Sequence, residues 1–255
     1  MQHWELLLFF GFISFMYASV GFGGASSYLA LLALYQLPVY EMKLTALLCN
    51  IIVVTGGSIL FIIKKQLDLK KILPLVLASI PMAYIGGKMK LSVDAFFILL
   101  GCSLVVAAIL LVIKTPPDSP SDNAAPYPAL KSGIMGGSIG FLSGMVGIGG
   151  GIFLSPLLHL LRWDTPKKIA ATASFFILVN SISGLGAHLT QAHGPVNYTR
   201  TGLLCAAVLV GGQLGSRLGV NRFSAVAIRR VTALLVFAAG VQVLQNHLHL
   251  QQLWN

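Results

Sequence analysis

Two glycine-rich segments, Val20-Gly21-Phe22-Gly23-Gly24 and Val146-Gly147-Ile148-Gly149-Gly150, each interrupt a long apolar run. Glycine weakens a helix and frees the backbone for sharp reversals. A helix that restarts after such a break, as residues 26–35 would in the first run, presents free amide hydrogens and the positive end of its dipole. That is a binding site for a small anion made from backbone. Its candidate members are Gly21, Gly23, Gly24, Gly147, Gly149, Gly150 and Gly151. Ser26 and Ser27 add hydroxyl donors after the first break, whereas Ile152 and Phe153 stand in the matching places of the second, so the two halves of the site are unequal. The plainer use of these glycines is close packing between helices, and the two uses are compatible.

Isolated polar residues lie in the apolar runs that follow: Thr45 and Asn50, then Thr172, Ser174, Asn180, Ser181 and Ser183. A hydroxyl inside a helix often bonds its own helix carbonyl. An asparagine amide is harder to hide. Thr45, Asn50, Thr172 and Asn180 therefore join the glycines as candidate binding residues. Lys88 and Arg217 stand at the ends of matching runs and are candidate electrostatic gates, although such side chains also snorkel to the interface. No Asp or Glu falls inside an apolar run, since all seven sit at ends or in loops. A cation pathway or a carboxylate proton relay normally needs one. The histidines and the cysteines Cys49, Cys102 and Cys205 show no strong metal spacing. No Gly-x-Ser-Gly nucleophile and no GxGxxG nucleotide fingerprint is present. The reading argues against an enzyme, leaving an intramembrane one as the lesser alternative, and names no catalytic residue, metal or cofactor.

The elements that must hold these residues follow from composition. Of 255 residues 56% are apolar and 9% charged, against about 25% charged in soluble domains. The mean hydropathy is +0.84. At about 20 residues per span the chain holds roughly seven or eight membrane segments. The leader MQHWE has no Lys or Arg, which argues against a cleaved signal peptide. Single spans are expected at 42–63, 72–88, 93–113, 167–190, 200–218 and 224–245. Broken runs are expected at 4–35 and 131–161, with Trp254 as an interfacial anchor.

The landmarks recur in one order. The two glycine segments match each other, Thr45-Ala46 matches Thr172-Ala173, Gly57 matches Gly184, and Gly86-Gly87-Lys88 matches Gly215-Ser216-Arg217. This predicts an internal duplication. Lys- and Arg-rich loops face the cytoplasm. The loops KKQLDLKK (64–71), 162–168 and 217–222 all fall inside only if each broken run turns back within the bilayer. Each half is then a hairpin plus three spans, and the odd number inverts the second half. The expected fold is an all-α integral membrane protein of two inverted repeats, each a Gly-broken re-entrant helical hairpin followed by three transmembrane helices. The first repeat covers 1–114, a polar linker 115–128 and the second repeat 129–255. Irregular backbone at membrane depth survives only where protein buries it or a cavity borders it. The expected partners are a small anionic substrate and membrane lipid, with no nucleic acid. A homodimer is left open, as are an anion channel and a carrier of small carboxylates.

The break from Val20 to Ser26, its second copy GFLSGMVGIGGGIFLSPLL, the stretch KIAATASFFILVNSISGLGAHL and the stretch GGQLGSRLG together resemble the TauE/SafE family. The resemblance covers nearly the whole chain and is strongest in the second half. It implies a carrier of sulfite, sulfonates or related sulfur-containing and carboxylate anions across the bacterial inner membrane. At Lys43 to Thr45, and at Ser26-Ser27 after the glycines, the first half departs from the commoner pattern.

Overall fold

The computed structural model describes residues 4–19, 22–112, 128–191, 194–219 and 225–247. Gly21, His193, Trp254 and the linker up to residue 127 lie outside them. The described chain is helical throughout: α1 (Glu5–Ala18), α2 (Ala25–Leu34), α3 (Val39–Ile63), α4 (Leu69–Lys88), α5 (Val93–Val112), α6 (Ala129–Val146), α7 (Gly151–Leu160), α8 (Pro166–Leu189), α9 (Tyr198–Leu214) and α10 (Ala225–His247). The broken runs are the short pairs α1–α2 and α6–α7. Among the described residues four helices, α3, α4, α5 and α8, are long and apolar enough to cross a membrane. α9 runs on into a π-helical turn, Gly215–Gly219.

Short-range bonds recur in both halves. At the glycine breaks, the Phe22 amide donates to the Tyr17 carbonyl at 3.0 Å, and the Ile148 amide donates to the Ser143 carbonyl at 3.2 Å. At the ends of the half-helices, the Leu37 amide reaches the Leu32 carbonyl and the Trp163 amide the Leu158 carbonyl. Gln36 and Arg162 close these ends in the left-handed region, at φ 54° and 49°. Such a residue lets the chain reverse while the last carbonyls keep their partners.

Long-range packing is reciprocal. α4 packs on α6, and α9 on α1; α4 packs on α8, and α9 on α3; α3 faces α8, and α5 faces α10. Small residues let the backbones meet. A Cβ at Gly86 would strike the Phe141 carbonyl, and one at Gly215 the Phe15 carbonyl. Along α6, Gly136, Gly140 and Gly144 sit on the backbone of Leu75, Ser79 and Ala83. Without a hydrophobic drive between helices in lipid, such close approach is the main source of association.

Polar contacts mark the two ends of the bundle. At one end Arg200, beginning α9, donates to Glu41 of α3 at 2.6 Å and 2.9 Å. There too His188, ending α8, meets the Tyr40 carbonyl at 2.9 Å, and Gln191 reaches the Gly87 carbonyl in the last turn of α4. At the other end Lys71 of α4 pairs with Asp164, just before α8, at 2.8 Å. α3 and α8 therefore run antiparallel. Glu41 was expected at a helix end and is there, but it is only 3% exposed. Removing one partner of such a buried pair typically costs about 3–5 kcal/mol.

Burial opposes the charge of Asp164, but the Lys71 ammonium, the Thr165 amide and Lys168 outweigh it and hold the carboxyl below its ordinary value. A depressed folded pKa contributes stability above the unfolded value, about 3.9, and that contribution is lost as pH falls through the folded one. Asp164→Asn is therefore expected to unfold more easily than wild type at neutral pH. The gap should close below about pH 4. Thermal unfolding in detergent at both pH values checks it; a gap unchanged in acid would contradict the ion-pair account.

Candidate functional site

The two glycine breaks are brought together by one side chain. Asn50, in the middle of α3, is 1% exposed. Its Oδ1 accepts from the Gly24 amide at 3.2 Å, at the start of α2. Its Nδ2 donates to the Ser181 hydroxyl on α8 at 2.9 Å and to the Ile148 carbonyl in the second break at 3.4 Å. An amide carries both donors and acceptor, so asparagine can serve two backbone segments with opposite needs. The glycines make room for it. A Cβ at Gly23 would overlap Asn50 Oδ1, and one at Gly149 would meet Nδ2 and come within 2.7 Å of the Ser181 hydroxyl.

The second break needs glycine for conformation as well. Gly147, Gly149 and Gly150 have φ of 86°, 81° and 80°, where a side chain is strained. Gly147 closes α6, its amide donating to the Ser143 carbonyl at 2.7 Å.

A cavity of about 40 Å3 opens beside Asn50. Gly23, Gly24, Ala25 and Ser26 border it from the start of α2, and Gly151 and Ile152 from the start of α7. Tyr17, Phe22, Pro156 and Ile177 complete much of its wall, which reaches Leu111 in the last turn of α5. The first amides of both half-helices thus approach one small space. Tyr17 also shares a 2.8 Å hydrogen bond with the Ser27 hydroxyl.

Of the expected binding residues, Gly23, Gly24, Ser26, Asn50 and Gly151 border the cavity. Gly149 supports Asn50, and Gly150 packs on Phe176. Ser27 lies one residue behind the wall. Gly21 is outside the described residues. Thr45 bonds Thr201 of α9 at 3.1 Å, and Thr172 is buried in α8 off the cavity. Asn180 donates to the Ser79 hydroxyl at 3.0 Å and to the Phe176 carbonyl at 2.8 Å. Its Oδ1 is buried without a partner, and it does not border the cavity. Lys88 and Arg217 are exposed; Lys88 lies over the Tyr84 ring at 4.8 Å. Tyr17, Ile177 and the Asn50 contact of Ser181 were not anticipated. Ser181 and Asn180 are neighbours about 100° apart around a helix, so only one of them can face α3.

Comparison with known proteins agrees with the architecture. The chain is 31% identical over 248 residues to a protein described as a probable membrane transporter, y4hK, from Sinorhizobium fredii (strain NBRC 101917 / NGR234), covering 94% of this chain and 97% of that one. It is 26% identical over 212 residues to the probable membrane transporter YunE of Bacillus subtilis (strain 168), covering 75% and 77%. No solved structure matches it. Residues 6–243 match the family described as sulfite exporter TauE/SafE; the names of family and relatives point to a membrane transporter, and the chain, a multi-pass membrane protein, belongs to that family.

Proposed function

We propose that the protein carries a small anion, sulfite or a related organosulfur anion, across the bacterial inner membrane by alternating access of two inverted repeats. The observation that carries this reading is the cavity at the starts of α2 and α7, with Asn50 joined to both glycine breaks. Amides at two half-helix starts favour negative charge, and repeat transporters place substrates at such discontinuities. A volume of about 40 Å3 suits a few waters, each needing on the order of 10–15 Å3, or one small oxyanion. Reciprocal packing, antiparallel α3 and α8, and the basic loops gathered at the Lys71–Asp164 end support inversion and re-entry, with that end cytoplasmic. On this reading the chain from 1 to 114 and that from 129 to 255 are the two repeats.

The purified protein in liposomes should take up labelled sulfite with saturable kinetics and slow turnover. Flux that rises linearly with concentration and shows no competition among anions would favour a pore instead.

A further inference from the structure

Lys43 is a buried cation that the cavity does not use. It lies in the second turn of α3 and is 8% exposed. Its Cγ lies 3.4 Å from where a Cβ on Gly147 would stand, and its Nζ sits 4.8 Å from the centroid of the Phe96 ring. Among the described residues no carboxylate pairs with this ammonium. Glu41, two residues away, is held by Arg200. One ring face offsets only part of the cost of removing an ammonium from water. A buried charge that the protein leaves unpaired is stabilised by an opposite charge from outside.

Its position says where that charge would come from. Lys43 lies two turns before Asn50 in α3, about 10 Å at 1.5 Å per residue. From Asn50 the cavity wall extends the other way, to Leu111 at the far end of α5. Asn50 shares this face of α3 and stands between Lys43 and the cavity, held by the Ser181 hydroxyl. In the matched position of the second half stands Ala170, so the charge serves one side only.

We propose that Lys43 is a second station for the transported oxyanion, between the glycine breaks and the membrane face at which α3 begins. This rests on the carrier reading above. When the Asn50 layer opens, the anion leaves the amides of α2 and α7 and pairs with the Lys43 ammonium. An anionic lipid headgroup offers the same chemistry, and the test separates the two.

The test uses the full chain as wild type, Lys43→Met, which keeps length and apolar bulk, and Lys43→Arg, which keeps charge. In vesicles of phosphatidylcholine alone, Lys43→Met should raise the half-saturating sulfite concentration for flux by about tenfold, the loss of one charge-assisted contact. Lys43→Arg should stay near wild type. Without anion, Lys43→Met should unfold no lower than wild type, because an unpaired buried charge has gone. A wild-type half-saturation in Lys43→Met overturns the proposal; so does a lower unfolding temperature with equal loss in Lys43→Arg, which marks a packing role. A second readout needs no transport. Sulfite should protect Lys43 of the wild type from a membrane-permeant amine acylating reagent. Protection by phosphatidylglycerol but not by sulfite assigns the charge to lipid and overturns the proposal, as does no protection by either. Absent flux with sulfite protection intact would count against the carrier reading and leave the station standing.

Discussion

Gly149→Val is expected to leave a folded membrane protein that neither binds nor transports the anion. Two effects act at this residue. Its φ of 81° lies where a β-branched side chain is a severe outlier, a strain on the order of 1–3 kcal/mol. Its side chain would also fill the space held by Asn50 Nδ2 and the Ser181 hydroxyl. Asn50 would then lose its grip on one glycine break, and the cavity its shape. Gly149→Ala carries both effects at smaller bulk, because its Cβ alone already meets Asn50 Nδ2 in the same left-handed conformation. Graded loss from alanine to valine, with both proteins monodisperse in detergent, is the expected pattern. Wild-type flux in Gly149→Val would mean that the glycines serve only to pack helices.

Asn50→Asp should be as damaging for a different reason. The substitution preserves shape, and a carboxylate still accepts from the Gly24 amide. It loses the donors to Ser181 and Ile148 and, when ionised, sets a negative charge on the wall of the cavity. Two like charges about 4 Å apart repel by about 4 kcal/mol at an effective dielectric of 20, roughly a thousandfold in affinity. Asn50→Ala removes the bonds without the charge, so it should weaken sulfite binding by only about 1–3 kcal/mol. If Asn50→Asp and Asn50→Ala lose affinity equally, repulsion plays no part and the ligand is not an anion at this wall. Sulfite titrations of thermal stability on both variants give the comparison.

Much of this arrangement was legible in the residues. The second break falls at its glycines because Gly147, Gly149 and Gly150 have φ near 80°, where a side chain is strained; the first needs Gly23 for room beside Asn50. The long helices begin within a few residues of the expected spans, since apolar length is a strong signal in lipid. The repeat landmarks map onto reciprocal contacts, such as Gly86 on Phe141 and Gly215 on Phe15. What could not be read was which isolated polar residue faces which partner. Asn50 and Asn180 look alike as lone amides in apolar helices, yet one bridges the glycine breaks and the other turns to Ser79. The hydrophobic pattern of a helix apolar on every side carries no facing signal. Glu41 was hidden for a related reason: a charge in the first turn of a helix reads as a surface group until Arg200 is folded against it. Thr45 and Thr201, and Cys49 and Cys205, meet across 156 residues, and no local spacing announces such pairs.

The central claim is that a small anion binds in the space between the starts of α2 and α7. The unfolding temperature of the purified wild-type protein, measured against rising sulfite at constant ionic strength, tests it most directly. A ligand at free concentration L that binds only the folded state stabilises it by RT ln(1 + L/Kd), about 2.7 kcal/mol at a hundred times Kd. The account predicts a rise in the wild type that grows with the logarithm of sulfite concentration above Kd, and none in Asn50→Asp. A wild type indifferent to sulfite, to sulfonates and to small carboxylates, or an equal rise in Asn50→Asp, would contradict it.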